Sequence, residues 1–121
     1  MSQPGVELLV AAHRDGVVPS LVIALGGVWV EVLDDAAVLP LPTTPDRVER
    51  ALRGLRAAPL LTGVRGSEPV DLAAVASLAA RVGDVLLEHD LQLLELNPVL
   101  AGPGGAVAVD AVARTTSPPT S

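Results

Sequence analysis

Several residue types are missing from this sequence, which has no cysteine, no lysine, no tyrosine and no phenylalanine. Without cysteine the chain cannot form disulfides, use a thiolate nucleophile or bind a metal through a thiolate. The absence of cysteine does not indicate whether the protein resides in an oxidising or a reducing compartment. Trp29 is the single aromatic residue, so the core must be built from valine, leucine and alanine. The absences therefore exclude thiol chemistry and predict an aliphatic core.

Positive charge is also scarce, because 8 basic residues stand against 14 acidic ones and give a net charge of −6. An acidic chain is repelled by the phosphate backbone of nucleic acids and by anionic membrane surfaces, so we expect neither as a partner. The N-terminus has no basic cluster before an apolar run, and no apolar span reaches the length of a membrane helix. We therefore expect a cytoplasmic location.

The pattern of apolar residues predicts an α+β fold with a mainly antiparallel sheet and two helices packed on it. A chain of 121 residues suits one domain, which we place at residues 1–113, followed by a disordered tail at 114–121. A turn at Gly102–Gly105 is predicted to join the last two strands as a hairpin. The predicted strands are Val6–His13, Ser20–Leu25, Val28–Leu33, Ala36–Leu41, Leu91–Leu96 and Ala106–Val112.

Capping residues indicate where the two helices begin. Thr44, followed by a proline, predicts the start of a first helix that ends near Ala57. Asp71 predicts the cap of a second helix, whose apolar stripe continues to about Glu88. Between the helices, residues 59–69 have no periodicity, and they are predicted to form a loop.

The predicted hairpin carries polar side chains on one face. Side chains alternate along a strand, so Glu95 and Asn97 project to the same side. A turn centred on Gly102 and Pro103 would place Asp110 opposite Glu95 on that side, and a one-residue shift would remove it. Two facing carboxylates repel unless a cation joins them, and carboxylate and amide oxygens suit Mg²⁺. The three side chains are candidate metal ligands, unless they simply form the solvated face of a hairpin.

These residues also carry a family resemblance. The segment Glu95–Val99, followed by Val107–Ala111, resembles the metal-binding end of ATP-grasp domains, above all those of the NDP-forming acyl-CoA synthetases, relatives of the succinyl-CoA synthetase β subunit. Upstream segments are similar to the family's strand, diglycine and loop segments, and from about Gly5 to Ala111 the order and spacing agree. These upstream segments are Glu7–Val10 with Arg14-Asp15, Leu25–Val28 with Glu31, and Leu60–Gly66 with Pro69 and Asp71.

The resemblance implies that the chain is the C-terminal portion of an ATP-grasp domain, a partial domain that binds Mg²⁺ and ATP or ADP. Glu95, Asn97 and Asp110 fall on the family's magnesium-binding positions. Further candidates for nucleotide binding are Glu7, Gly26, Gly27 and Arg65. For these the alternatives stay open, because a diglycine can mark a bend between strands, an exposed loop arginine is often only solvated, and Glu7 can point away from the site.

The sequence also departs from the family in ways that bear on activity. It lacks arginines that the family commonly has at the positions of Leu39 and Val112, and it lacks a lysine for the nucleotide. The family relays phosphate through a histidine, but His13 and His89 lie in no matching context and are interpreted as structural or surface residues. We therefore expect the chain to need a second lobe or a partner subunit with a CoA-binding domain.

Three functions stay open at this point. The leading hypothesis is the magnesium- and nucleotide-binding part of an ATP-grasp acid–CoA ligase that is not competent alone and whose catalytic residues are unknown. The second is a non-catalytic remnant that serves as a scaffold or regulatory interaction domain. The third is a self-sufficient small-molecule-binding domain, which predicts a stable monomer, whereas half of a two-lobe fold would expose an apolar patch and form homo-oligomers.

Overall fold

The computed structural model describes residues 5–26, 35–63 and 68–116. Its elements form an α+β fold with a mainly antiparallel sheet, as the sequence predicts. In chain order they are β1 (Val6–His13), β2 (Ser20–Leu25), β3 (Ala36–Pro40), α1 (Pro45–Arg53), α2 (Ala58–Thr62), α3 (Leu72–Glu88), β4 (Leu91–Gly102), β5 (Gly105–Ala108) and β6 (Ala111–Thr115).

The described strands form one antiparallel sheet in the order β3, β2, β1, β4. Both β5 and β6 pair with β4, β5 along its C-terminal half and β6 along its N-terminal half. The two short strands thus act as one edge strand with a break at Val109 and Asp110. Strand β1 lies in the middle of the sheet, where it pairs with β2 on one side and with β4 on the other.

One face of the sheet packs against the helices and forms the main core. Leu8, Val10 and Ala12 of β1 are buried there, together with Leu21 and Ile23 of β2. Helix α3 places its apolar stripe on this face, and all of the fully buried larger side chains in the described residues are leucine, isoleucine or valine. The prediction of an aliphatic core is confirmed for this part of the chain, whereas Trp29 lies outside the described residues.

Both predicted helix caps are present. The Thr44 side chain accepts a hydrogen bond from the Arg47 amide at 3.3 Å, and the Asp71 side chain accepts one from the Ala74 amide at 3.0 Å. Helix α1 ends at Arg53 rather than near Ala57. Gly54 is its C-terminal capping residue, and the backbone amides that follow form hydrogen bonds outside the helix. The Asp35 carboxylate accepts hydrogen bonds from the backbone amides of residues 56 and 57, at 2.8 and 2.9 Å.

The predicted loop at residues 59–69 is partly wrong, because Ala58–Thr62 forms the short helix α2. Five residues are too few to give a helical period in the sequence, and the Leu61 side chain is fully buried in the core. Residues 64–67 of that segment lie outside the described part of the structure. The predicted strand Val28–Leu33 also lies outside it.

Strand β4 is longer than predicted, since it continues past Leu96 through Pro98 to Gly102. Proline has no amide hydrogen and normally ends a strand inside a sheet. Here the ladder between β1 and β4 shifts register between Leu8 and Val10, next to the proline, so the extra residue is absorbed by an irregularity. The partner strand, predicted as continuous from Ala106 to Val112, is broken at the same level.

Strand β6 includes Arg114 and Thr115, which the sequence assigned to the disordered tail. Residues 117–121 lie outside the described part. Within the described residues, no helix is both long enough and apolar enough to cross a membrane.

Candidate functional site

We call the side of the sheet that points away from the helices the second face. Near β1 and β2 it is buried, because Leu9 and Ala24 form a small separate cluster there. Toward the edge it becomes exposed, since Leu100, Val107 and Val112 are 42%, 65% and 45% exposed. Among the candidate residues, Glu95 lies on this face opposite Ala11, and Asn97 and Asp110 lie beside it at the break in the edge strand.

Asn97 and Asp110 lie directly across from each other, where the edge strand is interrupted. The Asn97 amide donates to the Asp110 carbonyl at 3.2 Å, and the Val109 amide donates to the Pro98 carbonyl at 2.9 Å. The Asp110 Oδ1 accepts a hydrogen bond from the Ala111 amide at 2.9 Å, which orients the carboxylate. This backbone pairing fixes the spacing of the amide and the carboxylate.

The predicted register is wrong by two residues, because Glu95 lies opposite Val112 rather than opposite Asp110. The turn consists of Pro103 and Gly104, since Gly102 pairs with Gly105. Proline followed by glycine suits the two central positions of a turn, so the centre falls one residue later than predicted. Counted back along the chain from Val112, Asp110 is a diagonal neighbour of Glu95 at the break that precedes β6.

The donor chemistry of these three side chains fits a magnesium ion. Two carboxylates and an amide carbonyl are hard oxygen donors, and Mg²⁺ keeps several waters and substrate oxygens among its ligands. Among the described residues, no ion pair within 4 Å neutralises Glu95 or Asp110. In the same part of the chain, no three or more histidine, cysteine, aspartate or glutamate side chains form a metal-binding group. A cation here would therefore depend on Asn97 and on oxygens supplied by a ligand.

An ATP-grasp domain family model matches residues 1–114. This chain belongs to the ATP-grasp family. It is 35% identical over 109 residues to the β subunit of the ADP-forming acetate–CoA ligase I of Pyrococcus furiosus, an alignment that covers 88% of this chain and 47% of the relative. It is 37% identical over 112 residues to the ADP-forming acetate–CoA ligase I of Archaeoglobus fulgidus, covering 91% of this chain and 16% of the relative.

The fold is similar to solved structures of the same group. The dinucleotide forming acetyl-coenzyme A synthetase 1 of Ca. Korarchaeum cryptofilum, in complex with coenzyme A and Mg-AMPPCP, superposes with a TM-score of 0.84 at 36% identity. That match covers 95% of this chain and 55% of the other. The predicted membership in the ATP-grasp domains of NDP-forming acyl-CoA synthetases is confirmed, and the chain spans about half the length of the Pyrococcus β subunit.

The candidate nucleotide-binding residues of this ATP-grasp domain are only partly described. Glu7 lies exposed on the second face opposite Leu100, and its carbonyl accepts a hydrogen bond from the Gly26 amide at 2.8 Å. Gly26 follows β2 with a φ of 88°, a left-handed conformation that favours glycine. Glu7 and Gly26 thus meet at one end of the β1–β2 hairpin, while Gly27 and Arg65 lie outside the described residues.

The Arg14-Asp15 step, which is part of the family resemblance, has a structural role in this ATP-grasp domain. The Arg14 Nε donates to the Leu91 carbonyl at 2.7 Å, and its terminal nitrogen donates to the Leu86 carbonyl at 3.3 Å near the end of α3. The Asp15 carboxylate accepts a hydrogen bond from the Gln92 side chain at 2.9 Å. The Arg-Asp step therefore fastens the end of β1 to the α3–β4 connection, and neither residue faces the metal candidates.

The two histidines are consistent with structural or surface positions. His13 lies on the second face opposite Leu93, and its Nδ1 accepts a hydrogen bond from the Asp15 amide at 3.3 Å. His89 is the C-terminal capping residue of α3, and its amide donates to the Val85 carbonyl. Both are accounted for by local contacts.

A cleft of about 660 Å³ lies beside the hairpin turn and was not predicted from the sequence. Gly102, Pro103 and Gly104 form one wall, and Asp71 at the start of α3 lies on another. Asp71 is already occupied by the Ala74 amide, and its own amide donates to the Gly102 carbonyl at 2.9 Å. The glycines leave this end of the domain open, since a Cβ at residue 102 or 104 would meet no other atom within 4 Å.

Proposed function

We propose that this chain is the magnesium- and nucleotide-binding part of an ATP-grasp acid–CoA ligase of the ADP-forming type. The observation that carries the proposal is the set of three hard oxygen donors, with Glu95 on the second face and Asn97 and Asp110 beside it at the break in the edge strand. The curated relatives, which include ADP-forming acetate–CoA ligases, and the neighbouring structure with Mg-AMPPCP support it.

In this proposal Asn97 and Asp110 hold the ion across the interrupted strand pair, and Glu95 binds it from the adjacent position on β4. When bound, the ion offsets the charge of the nucleotide phosphates and fixes their position. Gly26 and Gly27 let backbone amides approach the nucleotide, while Glu7 and Arg65 contact it from the surrounding surface. The protein's contribution is mainly position, because the pairing of β4 with the edge strand is set by backbone hydrogen bonds.

The ligase as a whole would convert a carboxylic acid, CoA and ATP into an acyl-CoA, ADP and phosphate. The acyl, CoA and histidine sites would lie in a second lobe or partner subunit, since the chain has no lysine and spans only about half the length of its Pyrococcus relative. Residues 1–113 would form the ATP-grasp lobe, and a cytoplasmic location remains a prediction.

A second candidate function is a non-catalytic domain that keeps the fold and binds a partner as a scaffold or regulator. The absence of lysine from the whole sequence favours it. In that case the partner would bind with equal affinity whether or not magnesium and nucleotide are present.

Nucleotide titration separates the two functions. We would titrate Mg-ADP and Mg-ATP against the chain, alone and mixed with the remaining half of a related β subunit, and follow amide shifts by NMR. Asn97→Ala and Asp110→Ala should each weaken magnesium-dependent binding at least tenfold, because each removes an oxygen ligand. Asp84→Ala on α3, in the helical layer, is the matched control. The ligase proposal would be contradicted if no magnesium-dependent shift appeared, either with the chain alone or with the added half of the related β subunit.

A further inference from the structure

Arg114 differs from the other described arginines in its position. It is the one arginine in a described strand, since the others lie in or beside helices or, for Arg14, just after β1. Arg14 binds backbone carbonyls, Arg53 pairs with Glu49, and Arg81 pairs with Glu88. No ion pair or hydrogen bond engages the Arg114 guanidinium among the described residues.

The register places Arg114 beside the candidate metal ligands. Arg114 lies opposite Leu93 and Val112 lies opposite Glu95, so alternation keeps all four side chains on the second face. Arg114 and Asp110 are thus the two diagonal neighbours of Glu95 along β6 and its preceding break. Diagonal neighbours in an antiparallel pair are about 7–8 Å apart, a distance that long side chains reach.

An exposed arginine on a chain of net charge −6 would ordinarily be attracted to a nearby carboxylate. Glu95 is within reach, yet no ion pair joins the two side chains within 4 Å. Strand β6 is exposed along its whole length, so the guanidinium can approach a ligand from solvent at little cost. This region therefore presents oxygen atoms that can bind a cation. Next to them, on β6, the Arg114 guanidinium presents N–H donors that can bind an anion.

We infer that Arg114 binds a phosphate oxygen of the magnesium-bound nucleotide and so sets the preference of this face for a nucleotide over a nucleoside. The inference rests on the proposed function. A guanidinium presents several N–H donors in one plane, which matches the spacing of phosphate oxygens and strengthens each hydrogen bond by charge. The ion bound by Glu95, Asn97 and Asp110 and the Arg114 side chain would then hold the phosphates from adjacent positions.

The test compares Mg-ADP and adenosine binding in the wild-type chain, Arg114→Ala, Arg114→Lys and the control Arg81→Ala, with the second half of a related β subunit present throughout. Arg114→Ala should weaken Mg-ADP binding about tenfold and reduce its salt dependence, while adenosine binding stays unchanged. Arg114→Lys should retain part of the affinity. Arg81→Ala should match wild type, because that exposed side chain lies in the helical layer.

A second variant tests the position of the charge. In Val112→Arg/Arg114→Ala the cation moves one row along the same face, closer to Glu95, and Mg-ADP affinity should return to within threefold of wild type. Magnesium-dependent binding that is equally strong in wild type and Arg114→Ala would overturn this inference and leave the proposed function standing. No magnesium-dependent binding in wild type would overturn the proposed function and, with it, this inference.

Discussion

At the scale of single residues, the face and the partner of a candidate ligand depend on different features of the sequence. Alternation predicts that Glu95, Asn97 and Asp110 share one face. In the structure Glu95 lies on the second face, and Asn97 and Asp110 pair with each other at the break beside it. Their partners depended on the turn, whose centre at Pro103 and Gly104 moved Asp110 from Glu95 to Asn97. The error is an even number of residues, so the residue opposite Glu95 changes from Asp110 to Val112, whereas an error of one residue would have reversed which face each side chain of the partner strand occupies.

Arg14 illustrates a residue whose role could not be predicted from its position in the sequence. The two carbonyl groups that it binds are 72 and 77 residues away in the sequence, so no local sequence pattern predicts these contacts. The side chain is 24% exposed, and it satisfies backbone carbonyls at the end of α3 and the start of β4. A sequence comparison sees an Arg-Asp step next to a strand, whereas the structure assigns it to the packing of two elements.

Replacing Arg14 should therefore lower stability. Arg14→Ala leaves the carbonyls of Leu86 and Leu91 without this donor and should reduce the free energy of unfolding by about 1–3 kcal/mol. Urea denaturation monitored by circular dichroism would measure the change. Arg47→Ala, an exposed arginine on α1, serves as the control and should stay within about 0.5 kcal/mol of wild type. Equal stability of the two variants would contradict the tethering role.

At the scale of elements, the sequence was most informative where a cap or a period was present. Helices α1 and α3 and strands β1 and β2 were predicted with the correct starting residues, because Thr44, Asp71 and the apolar runs are local features. Strand β4 was predicted to end at Leu96, because a proline inside a sheet is tolerated only where the ladder of hydrogen bonds is irregular. That irregularity depends on β1, far away in the chain, and is therefore invisible locally.

Helix α3 packs against Leu41, which follows β3, through a glycine. A Cβ built at Gly83 would lie 2.5 Å from Leu41 Cδ2, so a larger residue at position 83 requires the Leu41 side chain to shift. Leu41 is buried at 7% exposure, so a shift of its side chain would disturb the core around it. We therefore expect Gly83 and Leu41 to be energetically coupled.

A double-mutant cycle tests this close packing. Gly83→Ala should destabilise the chain by about 1–2 kcal/mol, because the overpacked methyl outweighs its better helix propensity. In a Leu41→Ala background the same change should be neutral or stabilising by up to about 1 kcal/mol, since the opposing side chain is gone. Free energies of unfolding from urea titrations give the coupling. Additive effects would show that the two residues do not limit each other.

At the scale of the whole molecule, the second face is unevenly covered. Its apolar residues are buried near β1 and β2, but Leu100, Val107 and Val112 are exposed near the edge. Val109, at the break in the edge strand, is 58% exposed. An exposed apolar strip next to an edge of the described sheet favours association with another chain. The composition could predict an apolar core, but only the sheet order reveals which edge is left uncovered.

We therefore expect the isolated chain to self-associate through the β5–β6 edge, as predicted for half of a two-lobe fold. Sedimentation velocity should show a weight-average mass that rises with concentration. Val107→Thr combined with Val109→Lys should shift the distribution toward monomer, because a charge and a hydroxyl make the edge less adhesive. Val38→Thr on the exposed part of β3 is the control and should leave association unchanged. A concentration-independent monomer in wild type would favour the self-sufficient domain.

The central position of β1 has a consequence for the order of folding. Val6 pairs with Ala101 and His13 with Leu93, so the strand in the middle of the sheet obtains one of its two neighbours only after nearly all the described chain is available. Contacts of such high sequence separation require loop-closure entropy to be lost before they stabilise anything, which slows folding. During synthesis on a ribosome, the β1–β2 hairpin would emerge early, and β1 would lack its second neighbouring strand until β4 had been synthesised.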